Sequence, residues 1–240
     1  MGMSQQYNSH ISRHYAAYRP PLHQMILNKL IPLNSHFKQG LDVGCGTGVS
    51  TLALTPYCER ILAIDPSADM IAQTQAIKGV EYRVATAQEC SLEEHKADVV
   101  TFAGSLFYAQ SESLCIALKR LCQPDAKVLV YDFEVHLDAL LQRFDIHTPP
   151  SEGGYDHQVN FDNHGIFAPL QQGQETLSIA VSHQQIAHVL LASESRYQLL
   201  RDAFHLSDPF QAVVERLITC EAPQTLTADI FYSCYTFSQR

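Results

Sequence analysis

Positive charge is scarce in this chain of 240 residues, which has 16 lysines and arginines against 25 aspartates and glutamates. The formal net charge of −9 disfavours a nucleic-acid groove, because phosphate contacts need clustered basic side chains. Long apolar runs are also lacking, and none approaches the roughly 18 residues that span a bilayer. We therefore expect neither nucleic acid nor a membrane among the partners of this protein.

Cysteine pairs with metal-binding or redox spacing are absent as well. The seven cysteines are an odd number and include no C-x-x-C motif, which is typical of reduced thiols and disfavours a disulfide framework or a zinc site. The first ten residues lack the basic start and the apolar centre of a secretory signal. The sequence therefore predicts a cytoplasmic protein without a metal site.

Apolar residues, in contrast, are plentiful. They make up 46% of the chain, and charged residues only 17%, which excludes a disordered chain or a coiled coil. Between Phe37 and Phe133, short apolar runs such as RILAID and KVLVYDF alternate with helical patterns such as SADMIAQTQAI. Strands that alternate with helices indicate crossover connections and a parallel sheet, so this half is predicted to be a doubly wound α/β unit.

The second half of the chain loses this alternation after Glu134. Residues 145–175 are rich in polar residues, glycine and proline and show no periodicity, which predicts a functional or mobile loop. Helical patterns return after a capping box at Ser182 and Gln185, and the end of the chain alternates as a strand does. We interpret this half as an α-rich cap plus strands that complete the sheet.

The most informative segment is LDVGCGTGVST at residues 41–51. Glycines between a strand and a helix permit a sharp turn and bring backbone N–H groups close to a ligand. They are Gly44, Gly46 and Gly48. Asp65 ends the next predicted strand, where a carboxylate can accept hydrogen bonds from ribose hydroxyls. The dinucleotide fingerprint would need Gly or Ala at Val49, and the lysine of a phosphate loop is absent, so the pattern favours a nucleoside whose tail is not a pyrophosphate.

The segment LDVGCGTG resembles the first motif of class I S-adenosylmethionine-dependent methyltransferases, and the resemblance extends over residues 37–133. AIDPSADMI is similar to the second motif of that family, and ADVVTFAGSLFYA to its fourth-strand motif. ALKRLCQPDAKVLVYDF is similar to the segment usually written ALxExxRVLKPGGxLxxxD. The resemblance implies S-adenosylmethionine as cofactor and the small-molecule, type 11-like branch. It also implies a Rossmann-like, mostly parallel seven-stranded sheet with helices on both faces and a small α-rich cap.

The resemblance also assigns residues to the cofactor: the glycine loop to its methionine end, Asp65 to the ribose and later positions to the adenine. The implied cofactor-binding residues are Asp42, Gly44, Cys45, Gly46, Gly48, Asp65, Pro66, Met70, Ala87, Gln88, Ala103 and Gly104. Three positions depart from the family pattern, and one of them, Asp125, replaces the first glycine of its Pro-Gly-Gly turn. Thr86 replaces an aspartate that contacts the adenine amino group in many relatives, and Phe107 replaces a histidine.

The N-terminal segment YNSHISRHYAAYRPP resembles the start of the lid of small-molecule methyltransferases. Four side chains in it could close over the cofactor and touch the acceptor, although an ordinary helix whose aromatic side chains pack on the sheet would show the same pattern. These lid candidates are Tyr7, His10, Tyr15 and Arg19.

The irregular stretch after the fifth predicted strand supplies the other acceptor candidates. Open α/β sheets bind ligands at the carboxyl ends of their strands, where this stretch is expected to lie, although a solvated loop is the alternative. The candidates are Tyr155, His157 and His164.

The resemblance divides the chain into four predicted segments. They are a helical lid at 1–34, the S-adenosylmethionine-binding core at 35–135, a helical substrate cap at 136–225 and a final strand at 226–240.

Methyl transfer from a sulfonium is an in-line displacement that mainly requires positioning, and the sequence shows no unmistakable general base. We therefore assign no catalytic residue and expect transfer to a small molecule, with oxygen preferred as acceptor, by a monomer or homodimer. One alternative is a non-catalytic S-adenosylmethionine-binding protein that acts as a sensor or inert partner subunit. Another is a nicotinamide-dependent oxidoreductase, which Val49 disfavours.

Overall fold

This computed structural model describes residues 10, 11, 13, 14, 17–91, 96–147 and 154–238. The chain divides into two compact units. The core unit consists of residues 21–134, 154–175 and 230–240, and the second unit of residues 1–20, 135–153 and 176–229. The lid at 1–34, the cap at 136–225 and the other predicted segment boundaries stay predictions.

Seven strands form one sheet. They are β1 (Phe37–Val43), β2 (Cys58–Asp65), β3 (Val80–Val84), β4 (Ala97–Ala103), β5 (Cys122–Val135), β6 (Phe167–Ala180) and β7 (Thr225–Phe237). Their order is β3-β2-β1-β4-β5-β7-β6, and the pairs β1–β2, β2–β3, β1–β4 and β4–β5 are parallel. The predicted α/β fold with a mostly parallel seven-stranded sheet is confirmed, and the sheet includes one antiparallel hairpin.

The helices of the core unit are α1 (Leu22–Leu30), α2 (Val49–Leu54), α3 (Ala68–Ile71), α4 (Leu106–Ala109) and α5 (Glu112–Leu121). Those of the second unit whose full bounds lie in the described residues are α6 (Asp138–Gln142), α7 (His183–Leu191), α8 (Glu194–Phe204) and α9 (Phe210–Thr219). The described residues 10, 11, 13, 14 and 17 of that unit are helical as well. The capping box predicted at Ser182 and Gln185 is present at the start of α7. Ser111 begins α5 in a similar way, because its hydroxyl accepts a hydrogen bond from the Leu114 N–H.

The strand order explains why one edge of the sheet can hold a ligand. The chain runs from β1 outward to β3, then returns to β4 beside β1 and continues outward to β5. Since parallel crossovers are right-handed, this reversal puts the helices after β4 on the opposite face of the sheet from those after β1 and β2. It also leaves a crevice beyond the carboxyl ends of β1 and β4, where doubly wound sheets bind their ligands.

The core unit is held together by the apolar middle of these strands. Leu41, Ile64, Val100, Phe102 and Val128 are fully buried and belong to one continuous cluster. Both faces of the central strands are covered, so the strands consist of continuous apolar runs instead of alternating residues. Each such side chain contributes about 1.5–3 kcal/mol on burial, which fixes the strand ends that carry the polar loops.

Two details differ from the sequence-based expectations. The helical pattern SADMIAQTQAI forms only the single turn of α3, none of whose residues is buried, so no apolar face stabilises a longer helix. The irregular stretch expected to reach residue 175 ends earlier, because β6 begins at Phe167. This strand lies at the end of the sheet order, where exposed glutamines and Pro169 are tolerated, and its polar sequence hid it.

The second unit contains a pair of neighbouring histidines, of which one is buried. The side chain of His14 is 1% exposed, its Nδ1 lies 3.0 Å from Nδ1 of His188, and both rings stack on Phe210. Burial, together with the neighbouring His188, lowers the pKa of His14 to about 4, so both rings are neutral at physiological pH. None of the described helices combines the length and the apolar character needed to cross a membrane.

Candidate active site

The carboxyl edge of the sheet gathers three aspartates from three parallel strands. Asp42 lies near the end of β1, Asp65 ends β2 and Asp132 lies near the end of β5. Parallel strands end at the same edge of a sheet, so these three carboxylates lie along the carboxyl edge of the core unit's sheet.

The glycine loop follows β1 and depends on backbone conformations that favour glycine. Gly44, Gly46 and Gly48 have φ values of 71°, 54° and 87°. The loop is tied to β2, because the N–H groups of Gly44 and Cys45 both donate to the carbonyl oxygen of Ile64, at 2.8 and 3.0 Å. The turn is therefore part of the sheet edge and is positioned by it.

The contacts that an added Cβ atom would make show which of these glycines are packed against protein atoms and which faces open space. A Cβ on Gly44 would overlap the Cβ of Ser105, and one on Gly48 would lie 2.6 Å from the Tyr82 hydroxyl. A Cβ on Gly46 would meet no atom within 4 Å. Gly44 and Gly48 are thus required by neighbouring protein atoms, whereas Gly46 leaves space that a ligand could fill.

Asp42, expected to line the cofactor, supports the loop from inside. Its carboxylate is 0% exposed and accepts hydrogen bonds of 2.7 Å each from the hydroxyls of Ser50, Thr51 and Thr101. Burial raises the pKa of Asp42, while the three hydroxyl donors oppose that rise. A side chain without exposed surface cannot touch a ligand, so Asp42 acts by fixing β1, α2 and β4 to one another.

Asp65 is the carboxylate that faces the loop. Its Oδ2 accepts a hydrogen bond of 2.9 Å from the Gly46 N–H, and its Oδ1 one of 2.8 Å from the Ser67 N–H. The side chain is half-buried and retains room for further donors. It therefore lies beside the space at Gly46, as a residue that binds ribose hydroxyls would.

The resemblance assigns four further positions to the adenine, and they differ in exposure. Pro66 is exposed on the turn that leads into α3 and Met70 is exposed within α3, whereas Ala87 is buried. The side-chain amide of Gln88 donates to the hydroxyls of Ser111 and Ser113 at 3.4 and 3.2 Å.

The loop that carries Ala87 and Gln88 is fixed from α5. Arg120 donates hydrogen bonds to the carbonyl oxygens of Ala87, Gln88 and Cys90, at 3.3, 3.0 and 2.6 Å. Thr86 is one of the positions that differ from the family pattern. Its hydroxyl donates to Glu89 at 2.8 Å, and this bond lowers the pKa of the Glu89 carboxyl. A carboxylate is thus present in this loop, three residues beyond the place where the family pattern has one.

Cys45 is a buried thiol within the glycine loop and is only 4% exposed. Burial and the carboxylates of Asp42 and Asp65 raise its pKa to about 12. The thiol stays protonated at neutral pH, so its small apolar volume is what the loop uses.

The end of β4 contacts the glycine loop and also lines a pocket. Ala103 is half-buried, and Gly104 has a φ of 70° and donates its N–H to the carbonyl oxygen of Tyr131 at 2.8 Å. The next residue, Ser105, packs against Gly44 and donates its hydroxyl hydrogen to the carbonyl oxygen of Val43. Gly104 itself lines a pocket of about 290 Å³.

This pocket, which we call the acceptor pocket, lies entirely within the core unit. Its lining is aromatic and polar, and includes Phe107, Asp132, Tyr155, Asp156, His157 and Phe231. The rings of Phe107 and Tyr155 lie 4.7 Å apart, and that of Tyr155 lies 4.7 Å from His157. Phe107, which replaces a histidine of the family pattern, therefore contributes an apolar wall.

Asp132 organises the polar side of the acceptor pocket. Its Oδ1 accepts the N–H of Phe133 at 2.8 Å, and its Oδ2 lies 2.9 Å from Nδ1 of His157 and 2.7 Å from the Tyr155 hydroxyl. The Tyr155 hydroxyl also lies 2.8 Å from the carbonyl oxygen of Gly104. Burial and the Asp132 carboxylate raise the pKa of Tyr155, so this hydroxyl keeps its proton.

The remaining predicted residues lie elsewhere. His164 does not line the acceptor pocket; its ring nitrogens lie 3.7 Å from the Cys115 sulfur and 3.4 Å from the Gln110 amide. In the second unit, Nδ1 of His10 lies 3.9 Å from Asp208. Arg19 also belongs to that unit, while Tyr7 and Tyr15 lie outside the described residues. The predicted lid role of this segment stays a prediction.

Sequence reasoning missed Asp132 and Phe231. A signal for Asp132 was present, because it is the acid at the end of KVLVYDF and matches the last letter of the family segment. Phe231 lies in the final strand, about one hundred residues along the chain from Asp132, and no local pattern joins the two. Among the residues that the structure describes, no group of three or more metal-ligating side chains could hold an ion.

Comparison with known proteins agrees with this geometry. Residues 41–130 match the family Methyltransf_11, described as a methyltransferase domain. A Dictyostelium discoideum protein assigned as a methyltransferase is 23% identical over 127 residues, which are 51% of this chain and 47% of that protein. The cypemycin N-terminal methyltransferase of a Streptomyces species is 37% identical over 84 residues, 33% of this chain and 34% of that enzyme. The chain thus spans about half the length, or less, of the curated relatives it matches.

Solved structures match over nearly the whole chain. A protein of Anaeromyxobacter dehalogenans assigned as a type II methyltransferase superposes with a TM-score of 0.62 at 21% identity, covering 90% of this chain and 97% of that one. A protein of Bacillus halodurans assigned as a methyltransferase gives 0.52 at 12% identity, covering 89% and 97%. At such identities the likeness shows the fold. The similarity to the methyltransferase domain family is carried by residues 41–130.

Proposed function

We propose that this protein binds S-adenosylmethionine at the glycine loop and transfers its methyl group to a hydroxyl oxygen of a small molecule in the acceptor pocket. One observation carries the proposal. Gly104 lines the acceptor pocket, and the adjoining Ser105 packs against Gly44 of the loop. One dipeptide therefore separates the predicted methionine end of the cofactor from the acceptor.

The residues at the loop fit the proposed cofactor. Gly46 leaves open space beside the half-buried carboxylate of Asp65, which is suited to ribose hydroxyls. Pro66, Met70 in α3 and the loop at Ala87 and Gln88 would flank the adenine. When bound, S-adenosylmethionine supplies a methyl group on a sulfonium, and the chain's own task is to hold the acceptor in line with it.

Several features support a small-molecule acceptor. The acceptor pocket encloses about 290 Å³, which suits a compact molecule instead of a folded macromolecule. The net charge of −9 disfavours a nucleic acid. Oxygen is proposed as the acceptor atom because polar side chains able to hold a hydroxyl converge on Asp132. A cytoplasmic monomer or homodimer is part of the same proposal.

The test is calorimetric titration with S-adenosylhomocysteine, followed by mass spectrometry of products formed from S-adenosylmethionine and a panel of hydroxyl, amine and carboxylate compounds. Micromolar binding and an O-methylated product support the proposal. An N-methylated product would overturn the choice of oxygen and would fit the amine acceptor that the name of the cypemycin enzyme describes. Binding without turnover on any compound would favour the non-catalytic alternative. A folded protein that binds neither ligand would overturn the whole proposal.

A further inference from the structure

The hydrogen bonds of Asp132 determine which nitrogen of His157 carries a proton. A carboxylate only accepts hydrogen bonds, so Nδ1 of His157, at 2.9 Å from Oδ2, must be a donor. In the neutral imidazole the lone pair is then on Nε2. Within the described ranges of the chain, Nε2 forms no hydrogen bond, and the side chain lines the acceptor pocket with 28% of its surface exposed.

The ring of His157 is also held by its neighbours. It stacks on Phe231 with centroids 5.8 Å apart and planes 14° from parallel, and it meets Tyr155 edge-on at 4.7 Å. Both contacts and the bond to Asp132 restrict rotation of the imidazole. A base fixed in this way needs no reorganisation before it accepts a proton.

We propose that His157 is the general base of the methyl transfer, that Asp132 and Tyr155 are positioning residues, and that the acceptor is an uncharged phenol-type hydroxyl compound. This inference rests on the proposed function. Nε2 takes the proton of the acceptor hydroxyl while the oxygen forms its bond to the methyl carbon. The carbon–sulfur bond breaks with its electron pair left on sulfur, which gives neutral S-adenosylhomocysteine and a methyl ether. The imidazolium then releases the proton to water.

Asp132 is not itself the base, because both of its oxygens are occupied. Oδ1 accepts from the Phe133 N–H, and Oδ2 faces the imidazole and the phenol of Tyr155. Its negative charge stabilises the imidazolium that forms when Nε2 takes a proton. Tyr155, whose one hydroxyl hydrogen is directed at Oδ2 or at the Gly104 carbonyl, fixes the carboxylate against the end of β4.

The charges around the acceptor pocket indicate the class of acceptor. Asp132 and Asp156 are its acidic lining residues, His157 is its one imidazole, and the described lining contains no lysine or arginine. An acceptor that carried a carboxylate or phosphate would be repelled without a compensating cation. Aromatic walls at Phe107, Phe231 and Tyr155 suit a flat apolar body. A phenol combines such a body with a hydroxyl that needs a base at neutral pH.

A competing explanation is that the His157–Asp132 bond only anchors the segment after residue 154 to the sheet. His157→Asn separates the two roles, because an asparagine amide can donate to Asp132 from nearly the position of Nδ1 but has no Nε2. The chain also offers a matched control. His136 and Asp229 form another histidine–carboxylate pair, at 2.9 Å, in the second unit and outside the acceptor pocket.

The first experiment needs no acceptor. Long-range ¹H–¹⁵N spectra of the protein with S-adenosylhomocysteine report which ring nitrogen of each histidine is protonated, and loss of a signal in His157→Asn assigns His157. We expect the neutral Nδ1–H form. The Nε2–H form would overturn the role of general base, whatever the calorimetry shows.

The second experiment uses 4-methylphenol, which keeps its proton at about pH 8, and 4-nitrophenol, which is largely ionised there and needs no base. Because the acidic lining disfavours the nitrophenolate anion, each variant is compared with the wild type on the same phenol. His157→Asn should lower kcat/KM for 4-methylphenol by about 100-fold or more and for 4-nitrophenol by less than about threefold. His136→Asn should leave both rates unchanged. An equal loss of kcat/KM on both phenols would show that His157 has a structural role and is not the general base. No turnover of either phenol by the wild type, with S-adenosylhomocysteine still bound, would overturn the phenol class alone. Absence of S-adenosylhomocysteine binding would instead overturn the proposed function.

Discussion

Two aspartates at the same edge of the sheet have opposite environments. Asp42, near the end of β1, is 0% exposed and accepts only from the uncharged hydroxyls of three neighbours. Asp132, near the end of β5, is 17% exposed and accepts from an imidazole, a phenol and a backbone amide. One carboxylate holds strands and a helix together, and the other holds a titratable ring at the wall of a pocket.

The comparison shows that position in the fold does not fix the task of a side chain. Hydroxyl donors satisfy a carboxylate without changing its charge, so Asp42 serves stability. An imidazole can take up a proton, so Asp132 is suited to chemistry. The partners of each carboxylate, and not the strand end that carries it, distinguish a structural site from a reactive one.

The largest expected effect is on folding. Asp42→Ala removes the shared acceptor of three buried hydroxyls and should lower the free energy of unfolding by on the order of 4 kcal/mol. Asp132→Ala should lower it by only about 1–2 kcal/mol, because its donors can reach water. Urea unfolding of both variants measures the contrast. Equal losses would remove the distinction between the two aspartates.

Among substitutions that leave the fold intact, those of Gly46 should weaken ligand binding most. A side chain there fills the open space, so Gly46→Val and Gly46→Asn should weaken binding of S-adenosylmethionine by at least about 100-fold, or about 2.7 kcal/mol. Asparagine tolerates positive φ better than valine and should change the melting temperature less. Calorimetry and thermal unfolding together test this. Unchanged affinity in both variants would place the ligand elsewhere.

Asp65 should contribute a smaller share of the binding energy. Asp65→Ala loses the carboxylate expected to accept from ribose hydroxyls, which should raise the dissociation constant for S-adenosylmethionine by about 30-fold, or about 2 kcal/mol. Asp69→Ala removes an exposed acid four residues further on and should leave the affinity unchanged. If both variants bind equally well, Asp65 is not part of the cofactor site.

The stability of the protein should depend on pH through the protonation of Asp42. Burial raises its pKa above the ordinary 3.8, so the folded protein binds this proton more tightly than the unfolded chain does. The stability that Asp42 contributes is therefore greatest below pH 3.8 and decreases as the pH rises through the raised pKa. The difference in unfolding free energy between wild type and Asp42→Ala should therefore shrink as the pH rises above 3.8. A difference that grows would mean that the hydroxyl donors outweigh burial.

The glycine loop could be predicted from the sequence because its determinants are local. Three glycines at alternate positions, a strand before them and a helix after them are visible in LDVGCGTGVST, and two of the hydroxyls that bind Asp42 lie eight and nine residues beyond it. The parallel sheet was predictable for the same reason, since each buried strand is a continuous apolar run.

The acceptor pocket could be predicted only in part. Tyr155 and His157 were singled out by their place after the fifth strand, but the carboxylate that joins them lies 23 and 25 residues earlier, across an aperiodic segment. Phe231 comes from the last strand, and β6 was hidden by its run of glutamines. Such sites depend on contacts between distant segments, which residue patterns in a single sequence do not encode.

The most direct test of the account is calorimetric titration of the folded protein with S-adenosylhomocysteine, beside Gly46→Asn. The account predicts a single site with micromolar affinity in the wild type and its loss in the variant. No binding to a wild-type sample whose thermal unfolding is cooperative would show that the glycine loop serves another purpose and would contradict the proposed methyl transfer.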